Sequence, residues 1–313
     1  MINFVYCFDS NYDKQAFTSI SSLLDNVDEK INIVIIHESQ TDINFVPKFI
    51  IDHNNLGSIK INVFIDKNYS FPNVLDTHVS EATYYRIFID DLLDSSIEEV
   101  VYLDSDIICN NNPIPIIREN FKALSNTNFV LGACTEEGVP DSKLQSLGMK
   151  TKKYFNAGFL LINLTKWKKQ KIKQNLLTHL KNPNINFEFW DQDLFNFYFD
   201  GQYLELDRVL NWNIRLEENF SKNEELKLLK KIKFFHFAGD KKPWKGQGLF
   251  TKNAEIYHKN YRKIYRENYH IEHKWKPSSI LFLIKAFFNF NFFKIKFKLS
   301  FLRLFLKSLF KMH

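Results

Sequence analysis

Short apolar runs alternate with longer amphipathic segments along the first hundred residues of the chain. Buried strands are predicted at residues 3–8, 31–37, 59–65 and 100–103, with helices between them at about residues 14–24, 45–52 and 81–93. Strands that alternate with helices pair in parallel and are covered on both faces. The pattern therefore predicts an α/β domain. It continues with strands at residues 130–133, 159–162 and 234–237 and with helices at about residues 191–198 and 257–273.

Two of the predicted strands lead into carboxylates. Asp9 follows the first strand, and Asp104 and Asp106 follow the strand at residues 100–103. Ligands bind beyond the carboxyl ends of strands in open α/β sheets, so these side chains are candidates for a site. Two carboxylates one residue apart on a turn can both reach a divalent cation, and Mg²⁺ and Mn²⁺ favour such oxygens. The alternative interpretation is a solvated acidic turn, because Asp-x-Asp alone is a common pattern.

Further polar clusters lie at predicted strand ends or turns. They are Asp9-Ser10-Asn11-Tyr12, Tyr154-Phe155-Asn156-Ala157-Gly158, Trp190-Asp191-Gln192-Asp193 and the segment from His236 to Lys242. The first offers polar groups and an aromatic ring to a nucleobase, and the second offers small residues for close backbone approach. The last offers an imidazole to a metal and a cation to a phosphate. Taken singly, helix caps, a turn residue and a core histidine explain these residues better.

Charge is distributed unevenly along the chain. Its 42 Lys and Arg and 36 Asp and Glu give a net charge of +6. Residues 277–313 hold seven basic and no acidic residues, so subtracting +7 from +6 leaves about −1 for residues 1–276. A nucleic-acid-binding body would carry its own basic patch, so nucleic acid is not an expected partner.

Cysteine usage and hydropathy bear on the compartment. Cys7, Cys109 and Cys134 are widely spaced and form no Cys-x-x-Cys pattern, which favours reduced, buried thiols in a cytosolic protein. The N-terminal segment has no basic region before its short apolar run and is interpreted as a strand, not a signal peptide. No apolar stretch reaches about 18 residues, so no transmembrane helix is expected.

Together, six motifs in this order resemble glycosyltransferase family 8, especially the bacterial lipooligosaccharide galactosyl- and glucosyltransferases. The motifs are Asp9-Ser10-Asn11-Tyr12, Ala82-Thr83-Tyr84-Tyr85-Arg86, Val101-Tyr102-Leu103-Asp104-Ser105-Asp106, Phe155-Asn156-Ala157-Gly158 followed by Leu161-Ile162-Asn163, Trp190-Asp191-Gln192-Asp193, and His236-Phe237-Ala238-Gly239-Asp240-Lys241-Lys242-Pro243-Trp244. The resemblance runs from Asn3 to about Tyr265. It implies one Rossmann-like, nucleotide-sugar-binding domain of the GT-A type with a mixed sheet over residues 1–265. Beyond it, the pattern of the residues predicts a helical region over residues 266–313.

The resemblance also implies a role for each matched residue. Asp104, Asp106 and His236 would hold Mn²⁺, with Mg²⁺ as an alternative, against the diphosphate of UDP-galactose or UDP-glucose. The residues expected to contact the rest of the donor are Asp9, Asn11 and Tyr12 at the uridine, Gly239 and Lys242 at the diphosphate, and Arg86, Asn156, Ala157, Asp191 and Gln192 at the sugar. Ser105 is expected to be a further substrate-binding residue. His78 is expected on the acceptor side.

Retention of the anomeric configuration is a further implication of the resemblance, with Asp191 and Gln192 as the catalytic residues. A double displacement would need a carboxylate nucleophile on the far face of the sugar. The residue at that place in relatives corresponds to Gln192, whose amide is a poor nucleophile. Front-face attack is therefore favoured, with the acceptor hydroxyl entering beside the leaving phosphate, which takes the proton.

The basic C-terminal region holds ten of the 32 Phe residues of the chain. Basic residues interleaved with Phe and Leu are typical of a segment that lies on an anionic bilayer. A lipid-linked oligosaccharide acceptor would explain such a segment, and the expected location is the cytoplasmic face of the membrane, as a peripheral protein. The alternative is a helical cap packed on the body.

Two other functions compete with sugar transfer. Phosphohydrolases of the haloacid dehalogenase type also place Asp-x-Asp after a strand, but they need Thr or Val where Ile108 stands. They release inorganic phosphate, whereas a transferase releases UDP. A non-catalytic, peripheral membrane sugar-binding protein on the same fold is the third possibility, and it would be expected to have lost a metal ligand.

Overall fold

The computed structural model describes residues 1–65, 71, 80–182, 185–214, 227–239, 241–245, 248–249, 251, 253–272, 277–289, 292 and 296–310. His78 lies outside the described residues, so its predicted place on the acceptor side stays a prediction. Within the described residues, no helix combines the length and hydrophobicity that a bilayer crossing requires.

The strands form two sheets. In chain order they are β1 (Asn3–Phe8), β2 (Ile31–His37), β3 (Leu56–Val63), β4 (Glu99–Leu103), β5 (Ile107–Cys109), β6 (Leu131–Thr135), β7 (Phe155–Asn163), β8 (Leu204–Glu205), β9 (Trp212–Asn213) and β10 (Phe234–His236). The large sheet has the order β3-β2-β1-β4-β7-β6-β8, and the small sheet has the order β5-β10-β9.

Strand β7 departs from the parallel pairing that the alternation of strands and helices suggests. It runs antiparallel to both β4 and β6, whereas β1 to β4 pair in parallel. The reversal makes the sheet mixed, and it places the beginning of β7 beside the end of β4. The Asp104 amide accordingly donates a hydrogen bond to the Gly158 carbonyl at 2.8 Å.

Helices cover the sheet and follow it toward the C-terminus. They are α1 (Asp13–Asn26), α2 (Lys48–Ile51), α3 (Ile89–Leu92), α4 (Ile114–Ser125), α5 (Asp141–Ser146), α6 (Leu164–Lys169), α7 (Ile172–Leu180), α8 (Trp190–Phe199), α9 (Ala254–Tyr265), α10 (Pro277–Phe288) and α11 (Lys298–Phe310). The predicted helix at residues 81–93 is mostly the 3₁₀ helix Glu81–Phe88. The helix predicted to reach residue 273 ends at Tyr265, because Arg266 adopts φ of 53° and breaks the helical hydrogen-bond pattern.

Two apolar layers sandwich the large sheet. Along β1, Val5 belongs to one layer, while Phe4 and Phe8 belong to the other. A strand buried on both faces needs apolar residues at successive positions, which explains the uninterrupted runs in the sequence. Burying each such Phe stabilises the fold by about 1.5–3 kcal/mol.

The small sheet packs on α9 through a separate aromatic cluster. Phe235 and Phe237 lie in one cluster with Trp244 and Tyr257, and all four side chains are buried. The cluster fixes the segment that follows β10 against the body. That segment carries Gly239 and Lys242, so its packing determines where these residues lie.

The C-terminal region is helical, as predicted, and part of it packs on the body. Phe292 and Phe301 are buried with Leu249, Tyr269 and Ile271. Other large apolar side chains of α10 and α11 are at least half exposed, namely Leu281, Phe287, Phe288, Leu299 and Leu306.

Candidate active site

Three potential metal ligands meet beyond the carboxyl end of β4. Asp104 and Asp106 lie on the turn between β4 and β5, and His236 ends β10, which pairs with β5 so that His236 faces Ile107. The His236 Nε2 atom lies 3.2 Å from Asp106 Oδ1 and 4.0 Å from Asp104 Oδ2. One ligand atom of each residue lies within 4.8 Å of the others, so the three can hold a metal ion.

The donor set fits a divalent ion such as Mn²⁺ or Mg²⁺. Asp106 Oδ1 is buried and accepts no hydrogen bond from the described residues. A buried carboxylate oxygen without a donor is costly unless a cation neutralises it. Two carboxylates and one imidazole are ligands that Mn²⁺ accepts, and Mg²⁺ favours the oxygens.

Lys242 pairs with the second oxygen of Asp106 and donates to the Phe237 carbonyl at 2.7 Å. Burial raises the pKa of Asp106, but the positive charge of Lys242, together with the contact with His236, outweighs this effect and brings that pKa below its ordinary value. The carboxylate therefore stays ionised. Gly239, three residues before Lys242, has φ of 83°, a conformation that an L side chain rarely adopts.

A buried cation organises the wall beside the metal ligands. The Arg86 guanidinium lies 3.0 Å from Asp104 Oδ1 and 2.9 Å from Asp191 Oδ2, and it donates to the Ala157 carbonyl at 2.5 Å. Thr83 donates a short hydrogen bond to the other Asp191 oxygen. Burial raises the pKa of Asp191 to about 6, although Arg86 and Thr83 act in the opposite direction.

Gln192 is held at the start of α8 by three contacts. Its Oε1 accepts from the Ala157 amide at 3.1 Å, and its Nε2 donates to Tyr154 Oη at 3.2 Å and to Glu136 Oε2 at 3.3 Å. The amide is thus oriented before any substrate binds. Asp193 turns away from the cavity, because Tyr154 and Lys143 engage its carboxylate.

One cavity of about 660 Å³ joins these groups. The predicted site residues that line it are Tyr12, Arg86, Asp104, Ser105, Asp106, Asn156, Ala157, Asp191, Gln192, His236, Gly239 and Lys242. Asp9 and Asn11 lie just outside the lining. There the Asp9 carboxylate accepts hydrogen bonds from the Asn11 backbone and side-chain amides at 3.0 and 3.2 Å.

Three polar contributors were assigned no role from the sequence, although two of them, Tyr102 and Thr83, lie in the quoted motifs. Tyr102 donates to Asp104 Oδ1 at 2.7 Å and lies under the Arg86 guanidinium at 4.2 Å. Its position two residues before Asp104 puts it on the same face of the strand, a signal that could have found it. Thr83 lies three residues before Arg86 in the same motif and accepts a hydrogen bond from it, so that motif was its signal. Glu136 carries no comparable signal, because its partner Gln192 is distant in the chain.

The mixed sheet, with two carboxylates beyond the end of β4 and an imidazole from the small sheet beside them, has the GT-A architecture. The crystal structure of the galactosyltransferase LgtC, in complex with donor and acceptor sugar analogues, superposes with a TM-score of 0.67 at 21% identity. The superposition covers 84% of this chain and 96% of LgtC. Residues 3–248 match the model of glycosyl transferase family 8. The chain belongs to glycosyl transferase family 8.

Relatives of this chain agree with this assignment. A putative glycosyltransferase of Haemophilus influenzae is 29% identical over 252 residues, which cover 78% of this chain and 73% of the relative. The lipopolysaccharide 1,2-glucosyltransferase of Escherichia coli is 26% identical over 288 residues, which cover 89% and 80%. The predicted family, mixed α/β fold and enzyme class, a hexosyltransferase, are confirmed. The family match excludes the phosphohydrolase alternative. The non-catalytic alternative would be expected to have lost a metal ligand, and all three ligands are present.

Proposed function

We propose that the chain transfers galactose or glucose from the UDP-sugar to a lipid-linked oligosaccharide acceptor, assisted by Mn²⁺ and with retention of the anomeric configuration. The observation that carries the proposal is the convergence of Asp104, Asp106 and His236, with Lys242 beside them, on one wall of the cavity. A relative in Salmonella typhimurium is a lipopolysaccharide 1,3-galactosyltransferase, which supports a hexose donor; it is 29% identical over 181 residues that cover 54% of this chain and 51% of that protein.

The diphosphate is expected to lie between the metal ligands and the segment after β10. Asp104, Asp106 and His236 would hold a divalent ion there, and its charge would offset the negative charge that develops on the leaving diphosphate. Lys242 is buried and already aimed at Asp106, so it can exchange this carboxylate for a phosphate oxygen with little movement. The left-handed backbone at Gly239 lets the chain pass close to the phosphates. Ser105, on the turn between the two aspartates, lines the same cavity.

We propose that the uridine lies at the end of β1. Tyr12 lines the cavity and offers its ring to the uracil. Asp9 and Asn11 stand in the same turn, and their mutual hydrogen bonds hold a carboxylate and an amide next to that ring. These polar groups can recognise the edge of a base and a ribose hydroxyl.

The sugar then faces Asn156, Ala157, Asp191 and Gln192. Both oxygens of Asp191 are engaged by Arg86 and Thr83, so this carboxylate orients Arg86 and is poorly placed to attack C1. The Gln192 amide is a weak nucleophile. We therefore assign front-face attack: the acceptor hydroxyl bonds to C1 as the C1–O bond to UDP breaks, and its proton passes to the departing phosphate. A glycosyl-enzyme trapped on Asp191 or Gln192 would overturn this assignment.

The membrane proposal concerns residues 266–313, taken as a region distinct from a catalytic domain at 1–265. Exposed Phe287 and Phe288 stand beside Lys285 on α10, and exposed Leu299 stands beside Lys298 on α11. Apolar side chains flanked by cations suit the headgroup layer of an anionic bilayer. This surface would hold the enzyme at the cytoplasmic face of the membrane, where a lipid-linked acceptor is within reach.

The test is release of UDP from a panel of UDP-sugars with and without Mn²⁺. Release from UDP-galactose or UDP-glucose that depends on Mn²⁺ is expected, and Asp104→Asn is expected to abolish it. Asp94→Asn is the matched control, because Asp94 is exposed and lies outside the cavity lining. Release of inorganic phosphate, or UDP release that is unchanged by Asp104→Asn, would contradict the proposal.

A further inference from the structure

Each of the three metal-ligand side chains is held by a different supporting residue. Asp104 is held through Oδ1 by Tyr102, and Asp106 is held through Oδ2 by Lys242. His236 is held through Nδ1 by the side chain of Asn211, at 2.9 Å. We infer that Asn211 is a positioning residue that sets the tautomer of His236 and aims its Nε2 lone pair at the metal, an inference that rests on the proposed metal site.

The direction of the hydrogen bonds follows from a backbone group. The Gly158 amide can only donate, and it donates to Asn156 Oδ1 at 2.9 Å. This bond identifies Asn156 Oδ1 as an oxygen. The atom of Asn211 that lies 2.9 Å from the same oxygen must therefore be the Nδ2 donor.

The orientation of the Asn211 amide then determines the state of the imidazole. Since Nδ2 points to Asn156, the atom facing His236 Nδ1 is the Oδ1 acceptor. An acceptor at that place requires a proton on Nδ1, so the neutral ring carries its lone pair on Nε2. A metal-binding histidine is commonly oriented in this way by a partner on its other nitrogen.

The lone pair on Nε2 faces two further acceptors. Asp106 Oδ1 lies 3.2 Å away and Asp104 Oδ2 lies 4.0 Å away. Three electron-rich atoms in one buried corner repel one another unless a cation lies between them. The hydrogen-bond chain from Gly158 through Asn156 and Asn211 therefore prepares the corner for a metal ion.

The backbone keeps Asn211 in place. It follows the 3₁₀ helix Arg208–Leu210 and precedes β9, which pairs in parallel with β10 so that Asn213 faces His236. Its side chain is buried, at 6% exposure, and Asn211 is not among the residues that line the cavity. Asn211 therefore acts through His236 and Asn156, without contacting the substrate.

The experiment compares Mn²⁺ affinity in the wild type, Asn211→Ala and Asn211→Asp, measured from free Mn²⁺ by electron paramagnetic resonance in the presence of UDP. Asn211→Ala is expected to weaken Mn²⁺ binding about 10- to 100-fold, the usual effect of losing a partner of a metal ligand. Asn211→Asp keeps an acceptor for Nδ1–H and is expected to keep the affinity. It loses the donor to Asn156, so the KM for the UDP-sugar is expected to rise.

Asn163→Ala is the control for a merely structural effect, since Asn163 is a buried helix-capping residue at the far end of β7. It is expected to lower the thermal midpoint without changing Mn²⁺ affinity. Wild-type affinity in a folded Asn211→Ala variant, or equal weakening in both Asn211 variants, overturns the inference and leaves the proposed function intact. A wild-type protein that binds no Mn²⁺ with UDP removes the proposed function as well.

A second measurement needs no variant of Asn211. The ¹⁵N spectrum of histidine-labelled, metal-free protein at mildly alkaline pH reports which ring nitrogen of His236 carries the proton, and His236→Gln assigns the signal. A proton on Nδ1 is expected. A proton on Nε2 refutes the inference, even if Asn211→Ala does not fold.

Discussion

Substituting Gly158 by Ala should disable the metal site through a single methyl group. A Cβ at this position would lie 2.4 Å from His236 Cε1 and 3.0 Å from Asp104 Oδ2, whereas ordinary contacts begin at 3.4 Å. The ring must therefore move by about 1 Å, the difference between 3.4 and 2.4 Å. It cannot move freely, because a hydrogen bond to Asn211 holds its Nδ1 atom. Overpacking of this kind costs about 1–3 kcal/mol of stability.

The assay is Mn²⁺-dependent UDP release together with the thermal midpoint. A displacement of about 1 Å at a catalytic centre reduces the rate about 100-fold, and Gly158→Ala is expected to show a loss of that order with a lowered midpoint. Gly132→Ala is the matched control in the neighbouring strand β6. Its Cβ would meet Leu206 Cδ2 at 3.1 Å, the end of a side chain that can give by a few tenths of an ångström. A Gly158→Ala protein with wild-type activity and Mn²⁺ affinity would show that the ring is not confined as described.

The remaining predictions concern charge, pH and the membrane. Asp106→Asn leaves Lys242 buried without its counter-charge, so it is expected to lower the free energy of unfolding by about 3–5 kcal/mol. Urea denaturation measures this change, and an unchanged free energy of unfolding would contradict the buried ion pair. Burial lowers the pKa of His258 from 6.5 to about 4, so the stability tied to the neutral ring is complete above about pH 6.5 and is lost as the pH falls towards 4. By about pH 5 the free energy of unfolding is expected to be lower by about 2 kcal/mol. As the pH falls, the thermal midpoint of the wild type should therefore fall more than that of His258→Gln, and an equal fall in the two proteins would refute this. On α10, the double substitution Lys285→Glu and Phe288→Ser should weaken binding to anionic vesicles by more than about tenfold in a sedimentation assay. The same two changes at the exposed residues Lys48 and Phe49 of α2 are the control and should leave binding unchanged. Equal effects of the two double substitutions would argue against membrane binding through the C-terminal region.

The local sequence determined the strands of the core and the motifs at their ends. Apolar runs recur wherever a strand is buried on both faces, so β1, β2 and β4 were located with nearly correct bounds. The six motifs identified the family because they combine residue type with order along the chain. A strand that is buried on both faces and a short functional motif each consist of consecutive residues. Both can therefore be recognised directly in the sequence.

Element boundaries were less predictable. The segment Glu81–Phe88 has the composition of an α-helix but forms a 3₁₀ helix, which places the Arg86 side chain between Asp104 and Asp191. The tail packs Phe301 against Tyr269 and leaves Phe288 exposed, a division that its composition did not indicate. In both segments, contacts with distant parts of the chain override the local preference.

The direction of β7 and the hydrogen bonds around His236 required the tertiary structure. Antiparallel pairing brings Asn156 and Gly158 to the same edge as Asp104, and the small sheet brings Asn211 and His236 together from positions 25 residues apart. A hydrogen bond depends on distances of a few tenths of an ångström and on which atom donates. Such distances result from strand register and packing between remote segments, so they are not encoded in any short stretch of the chain.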